Sequence, residues 1–96
     1  MADLAIVNGK LAPIAANAEP EAGTVLINGG RIESILPPEE YVVADQIFDA
    51  EGLLVLPGAI DVHFHCRAPS FPERGDFGSE SKAAAAGGVT TIFEMP

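Results

Sequence analysis

Residues 58–96 read GAIDVHFHCRAPSFPERGDFGSESKAAAAGGVTTIFEMP, and the changes of texture along this stretch decide the fold. Gly58–His65 is a short, mostly apolar run, the pattern of a strand in a parallel sheet that is covered on both faces. Arg67–Gly75 is polar and broken by Pro69 and Pro72, which predicts a loop. Asp76 or Ser79 is suited to cap a helix, the four alanines Ala83–Ala86 favour one, and Gly87-Gly88 end it. Those alanines also imply a helix packed close against something. Val89–Pro96 is β-branched and aromatic, and predicts a second strand. Strand, loop, helix and strand make one βαβ unit, whose strands should run parallel with a right-handed crossover.

The first of these strands carries the chemistry. Residues i and i+2 of a strand point to one face, so His63 and His65 should project side by side. They stand at the C-terminal end of the strand, where parallel α/β folds build their sites. Two neutral imidazoles there could share one metal ion, at roughly 2.0–2.1 Å each for zinc. Equally, they could be two hydrogen-bonded strand residues, and two ligands are fewer than the three or four that zinc sites take from protein. Asp61 lies on the same face, one step deeper, placed to orient an imidazole or accept a hydrogen bond from a neighbour. Arg67, just past the strand, is placed to bind a carboxylate in a fork. Cys66 faces away from both histidines and reads as a packed thiol. Lys82 reads as a solvated helix residue, and Glu94 as either a site-mouth or an exposed strand residue. Gly58, Gly87 and Gly88 suit turns and caps, not a phosphate cradle.

Before Gly58 the texture is that of short strands and turns. Asn8-Gly9 stands between two apolar stretches, and Asn28-Gly29-Gly30 stands between Thr24–Ile27 and Arg31–Leu36. Both predict tight hairpins. Ala12–Gly23 predicts a surface loop, and Pro37-Pro38 ends the third strand. A further strand pair is expected around Ala50-Glu51-Gly52. Residues 1–56 therefore suggest a small antiparallel sheet or part of a β-sandwich, and residues 57–96 the βαβ unit.

Composition narrows the function. The 96 residues carry a net charge of −9, with nine acids against only Lys10 and Arg31 up to Gly58. No basic stripe exists for a nucleic-acid backbone, so no nucleic-acid partner is expected. No run approaches the ~20 apolar residues of a membrane-spanning helix, so no membrane partner is expected. The N-terminus lacks the features of a secretory signal. One cysteine cannot form an internal disulfide, which suits a cytoplasmic location.

Two stretches, DAEGLLVLPGAIDVHFHCR (49–67) and SKAAAAGGVTTIFEMP (81–96), resemble the amidohydrolase superfamily. Within it the likeness is to the cyclic-amide hydrolases: dihydroorotases, allantoinases and their hydantoinase relatives. The marks are Asp-x-His-x-His after Pro57-Gly58, then an alanine-rich helix ending in Gly-Gly-x-Thr-Thr. The resemblance implies an α/β fold, a metal-dependent (β/α)8 barrel with a small β-sandwich domain. The present chain would form part of the sandwich (1–56) and the first β-α-β unit of the barrel (57–96). It implies that His63 and His65 are metal ligands, that Arg67 binds a substrate carboxylate, and that one or two divalent metals, Zn2+ first among them, are held. A small cyclic amide would be the substrate and a homo-oligomer the assembly.

Arg67 with Met95-Pro96 favours the dihydroorotase and allantoinase side; the dihydroorotase likeness, taken first, implies pyrimidine biosynthesis. Cys66, where leucine is common, and Ala68-Pro69, where Glu-Pro is frequent, leave the substrate open. In the family a carboxylated lysine, further histidines and a catalytic aspartate come from later strands, and a substrate-binding asparagine would follow Pro96. Lys82 does not match that lysine. The chain thus reads as an N-terminal fragment, inactive alone. The competing readings are a non-catalytic interaction homologue, against which the intact histidines count, and a self-contained binding module, against which the open βαβ unit counts.

Overall fold

The computed structural model describes residues 1–13, 15, 17–66, 73 and 75–95. These form two compact units, Met1–Leu56 and Pro57–Pro96. The first contains β1 (Ala2–Leu11), β2 (Glu21–Asn28), β3 (Arg31–Leu36), β4 (Ala44–Asp49) and β5 (Leu54–Val55). They make one sheet of order β3-β2-β1-β4, with β5 also paired to β1. The β2–β3 hairpin forms around Gly29-Gly30, whose φ values of 59° and 75° are those of the primed turn that matches strand twist. Asn28 and Arg31 face each other across it, and the Gly29 N–H donates to Asp3 Oδ2 at 2.7 Å.

The Asn8-Gly9 hairpin is not formed. β1 runs through both residues, and its pairing steps from Ile6↔Val25 to Gly9↔Gly23. Three steps on β1 match two on β2, which is a β-bulge, with Asn8 at φ 57°. A bulge and a primed turn both need positive φ, so Asn-Gly serves either. The partners decide: β1 is held by β2 on one edge and by β4 and β5 on the other. The bulge carbonyls are taken from that second edge, Val7 O by the Ala50 N–H and Asn8 O by the Gly52 N–H, both at 2.8 Å. Asp49 Oδ1 accepts from the Glu51 N–H at 2.9 Å and the Asn8 side-chain amide at 3.1 Å. These two bonds, the Glu51 N–H foremost, hold the Asp49 carboxyl below the usual carboxylate range.

The strand pair expected around Ala50-Glu51-Gly52 is also replaced. β4 and β5 do not pair with each other. They lie in succession along β1, both parallel to it, with Ala2↔Ala44 at one end and Lys10↔Leu54 at the other. The sheet is therefore mixed, not antiparallel, because Asp49–Leu53 carries the chain past the bulge without reversing it. Buried here are Ala2, Ala5, Thr24, Val25 and Ala50. Among the described residues of this unit there is one sheet, and no second layer completes a sandwich. Ile32, Ile35, Ile47 and Phe48 are exposed.

The second unit contains β6 (Ala59–Phe64), α1 (Phe77–Ala86) and β7 (Val89–Glu94). β6 and β7 are parallel, as strand–helix–strand order demands. Two expectations are corrected. α1 has no buried residue, and Ile60 and Val62 of β6 are 62% and 61% exposed. Burying a parallel strand takes further strands and a layer on each face, and one βαβ unit contains neither. The barrel is accordingly not present within these residues.

α1 opens with a reciprocal cap. Asp76 Oδ1 accepts from the Ser79 N–H at 2.7 Å, and the Asp76 N–H donates to Ser79 Oγ at 3.1 Å. Bonding from Ser79, its N–H first, holds the Asp76 carboxyl below the usual carboxylate range. A depressed folded-state value means the cap contributes above the unfolded pKa and is lost as pH falls through the folded one. Asp76→Ala should therefore reduce helical circular dichroism at pH 7 and remove part of its decline below about pH 4. Asp76→Asn should keep most of the helix while losing that acid sensitivity. An unchanged acid profile in both variants would count against the cap.

Candidate metal centre

The site stands where β6 ends. His63 is in β6 and His65 is one residue beyond it. Their Nε2 atoms are 3.0 Å apart, with the rings edge to face, centroids 4.9 Å apart and planes inclined at 66°. A pairing irregularity shapes this end: Asp61 faces Ile92 and Phe64 faces Glu94, so β6 carries one residue more than β7 between them. Such bulges re-aim side chains beside sites. The His63 N–H falls within the bulge and donates to Asp61 Oδ1 at 3.1 Å. Of the two roles expected of Asp61, orienting an imidazole or accepting from a neighbour, the structure has the second: the contact is to the His63 main chain, because the bulge leaves an N–H to satisfy.

A backbone group holds a ring in its place. His65 Nδ1 is 3.1 Å from Met95 O. A carbonyl only accepts, so Nδ1 carries the hydrogen and the neutral ring keeps its lone pair on Nε2. Met95 returns a second bond, its N–H donating to Phe64 O at 2.7 Å. The sequence reading missed this contact, because a carbonyl acceptor carries no side-chain signature. Cys66 is buried, at 1% exposure, and its N–H donates to Glu94 Oε2 at 3.1 Å. Glu94 is half-buried, Lys82 is exposed and Asp76 is a cap. Arg67 lies outside the described residues.

The histidine pair fits a shared metal. Two nitrogens on one ion at roughly 2.0–2.1 Å sit about 2.9–3.4 Å apart for angles from square to tetrahedral. The observed 3.0 Å falls in that interval and is also the length of a ring-to-ring hydrogen bond, His63 Nε2 donating to the His65 lone pair; Nδ1 of His65 is bonded as a ligating histidine's second nitrogen should be. Among the described residues no group of three or more His, Cys, Asp or Glu is placed to hold an ion.

No family model matches the chain. It is 40% identical over 93 residues to a dihydroorotase of Solibacter usitatus, spanning 97% of this chain and 21% of that protein. The L-hydantoinase (dihydropyrimidinase) from Arthrobacter aurescens superposes with a TM-score of 0.86 at 34% identity, covering 100% of this chain and 21% of that one. An N-acyl-D-glutamate deacylase from Bordetella bronchiseptica, solved in complex with zinc and a phosphonate inhibitor, superposes with a TM-score of 0.70 at 26% identity over 95% of this chain and 18% of that one. The chain spans about a fifth of the length of the relatives it matches. Its histidine pair, its parallel strands and these likenesses agree, and the chain belongs to the amidohydrolase superfamily, alongside relatives named dihydroorotase and hydantoinase.

Proposed function

We propose that the natural polypeptide carrying these 96 residues is a metal-dependent hydrolase of cyclic amide C–N bonds, with the ring amide of dihydroorotate as its first substrate. The observation that carries this is the convergence of His63 and His65 Nε2 to 3.0 Å at the C-terminal end of a parallel strand. When bound, a divalent metal, Zn2+ foremost, supplies Lewis acidity and a nucleophile from water near neutral pH. The residues of this chain hold and orient. His63 and His65 present lone pairs, and Met95 O keeps the His65 ring in the tautomer that does so. Asp61 secures the strand end. Arg67 is assigned to the substrate carboxylate, a role its forked donors suit. Cys66 is buried and takes no part as a nucleophile. We place this work in the cytoplasm and in a homo-oligomer acting on a small molecule. No helix is long and apolar enough to cross a membrane among the described residues.

Hydantoinase or dihydropyrimidinase activity is the second reading, favoured by the 0.86 TM-score with the Arthrobacter enzyme. Turnover of dihydroorotate, allantoin, hydantoin and dihydrouracil by the natural polypeptide, as purified and after chelation, separates the readings. Dihydroorotate should be hydrolysed fastest, and chelation should abolish the rate. Faster turnover of hydantoin or dihydrouracil would move the assignment to the second reading, and chelator-resistant turnover would overturn both. The 96-residue chain alone should show no turnover, since two histidines do not complete a catalytic coordination set. Rates proportional to its concentration would refute this.

A further inference from the structure

We propose that Glu94 is a positioning residue for His65, acting through the main-chain N–H of Cys66. Residues 64, 65 and 66 are each tied to the end of β7. Phe64 O accepts from the Met95 N–H at 2.7 Å, His65 Nδ1 meets Met95 O at 3.1 Å, and the Cys66 N–H meets Glu94 Oε2 at 3.1 Å. The first contact is the last main-chain rung between the strands among the described residues. At Cys66 a side chain supplies the acceptor that a strand would otherwise give. Cys66 is 1% exposed, so its N–H needs such an acceptor.

His65 therefore sits between two clamps, one at each neighbour. Its ring nitrogen reaches Met95 O only while both hold the main chain at this angle. Without the Glu94 carboxylate the chain after Phe64 has one clamp, and the His65 ring can leave Met95 O. It would then exchange tautomers and carry its lone pair away from the position facing His63. The acceptor matters here and its charge does not, so glutamine should serve where alanine fails.

The inference rests on the metal reading of His63 and His65 in one respect only, the predicted effect on affinity. Two measurements on the natural polypeptide, for wild type, Glu94→Ala and Glu94→Gln, test it. The first is the ring nitrogen chemical shifts of His65 by NMR after chelation, which need no metal. The second is zinc affinity by competition with a chelating dye. Expected are a fixed Nδ1–H tautomer in wild type and Glu94→Gln, a mixture in Glu94→Ala, and zinc binding weakened roughly tenfold in Glu94→Ala alone, the scale of a lost partner to a ligating histidine.

An unchanged tautomer and affinity in Glu94→Ala would overturn the proposal. Equal losses in both variants would overturn it too, making Glu94 a charged ligand instead. If wild type binds no zinc while Glu94→Ala still loses the tautomer, the positioning role stands and the metal reading fails.

Discussion

Replacing His63 and His65 together by alanine in the natural polypeptide should abolish cyclic-amide hydrolysis, lowering kcat/KM by about 10³-fold or more, on the order of 4 kcal/mol of barrier. The two Nε2 atoms 3.0 Å apart are the atoms to which the proposed function gives the metal. Metal content should fall with activity. His63 is exposed and His65 half-buried, so the loss should not come from unfolding, and the thermal midpoint serves as the control. Retained turnover with both histidines removed would sink the enzyme reading and restore the non-catalytic homologue. Loss of turnover with full metal content would keep the enzyme reading but take the metal away from these two histidines.

The second large effect concerns Gly58, immediately before β6. A Cβ built there would collide with Oγ1 and Cγ2 of Thr90 and stand 2.7 Å from Thr90 Cβ. Thr90 is the additional residue of β7 where the pairing steps from Ala59↔Val89 to Ile60↔Thr91. Its Cβ is fixed by the backbone, so a new rotamer relieves only part of the clash. Gly58→Ala should destabilise the protein by about 1–3 kcal/mol, the usual cost of forcing atoms into an occupied place. Gly87→Ala is the control. There the nearest atom to a new Cβ is Ala84 O at 3.5 Å and φ is −87°, so the change should be neutral or slightly stabilising. Thr90→Gly should recover stability in the Gly58→Ala background beyond its own effect, a coupling that a double-mutant cycle reads directly. Equal denaturation midpoints for Gly58→Ala and Gly87→Ala would show that Thr90 does not approach as described.

Much of the second unit was legible residue by residue. Asp76, Ser79, the alanine run and Gly87-Gly88 mark a helix through local chemistry, and the helix runs Phe77–Ala86 between them. Asp-x-His-x-His marks a pair of rings on one strand face because side-chain period in a strand is two. Asp61 was half legible: its place beside the histidines follows from spacing, but its hydrogen-bond partner depends on a bulge. In the first unit Asn28-Gly29-Gly30 was read correctly as a turn, while Asn8-Gly9 was misread. Both contain residues that accept positive φ, and the local signal is the same.

Although β2 begins at Glu21, inside the stretch expected to be loop, sequence alone determined some local decisions: where the helix begins and stops, where the β2–β3 turn falls, and which histidines share a face. Those depend on dihedral preferences and hydrogen bonds within a few residues. Tertiary structure decided what depends on partners distant in the chain. β4 and β5 lie along one edge of β1 and turn an expected hairpin into a bulge within a mixed sheet. The end of β7 supplies Met95 O and the Glu94 carboxylate that hold His65 and its neighbour. Main-chain donors and acceptors are the same at every residue, so which of them meet is settled only when the chain folds back on itself.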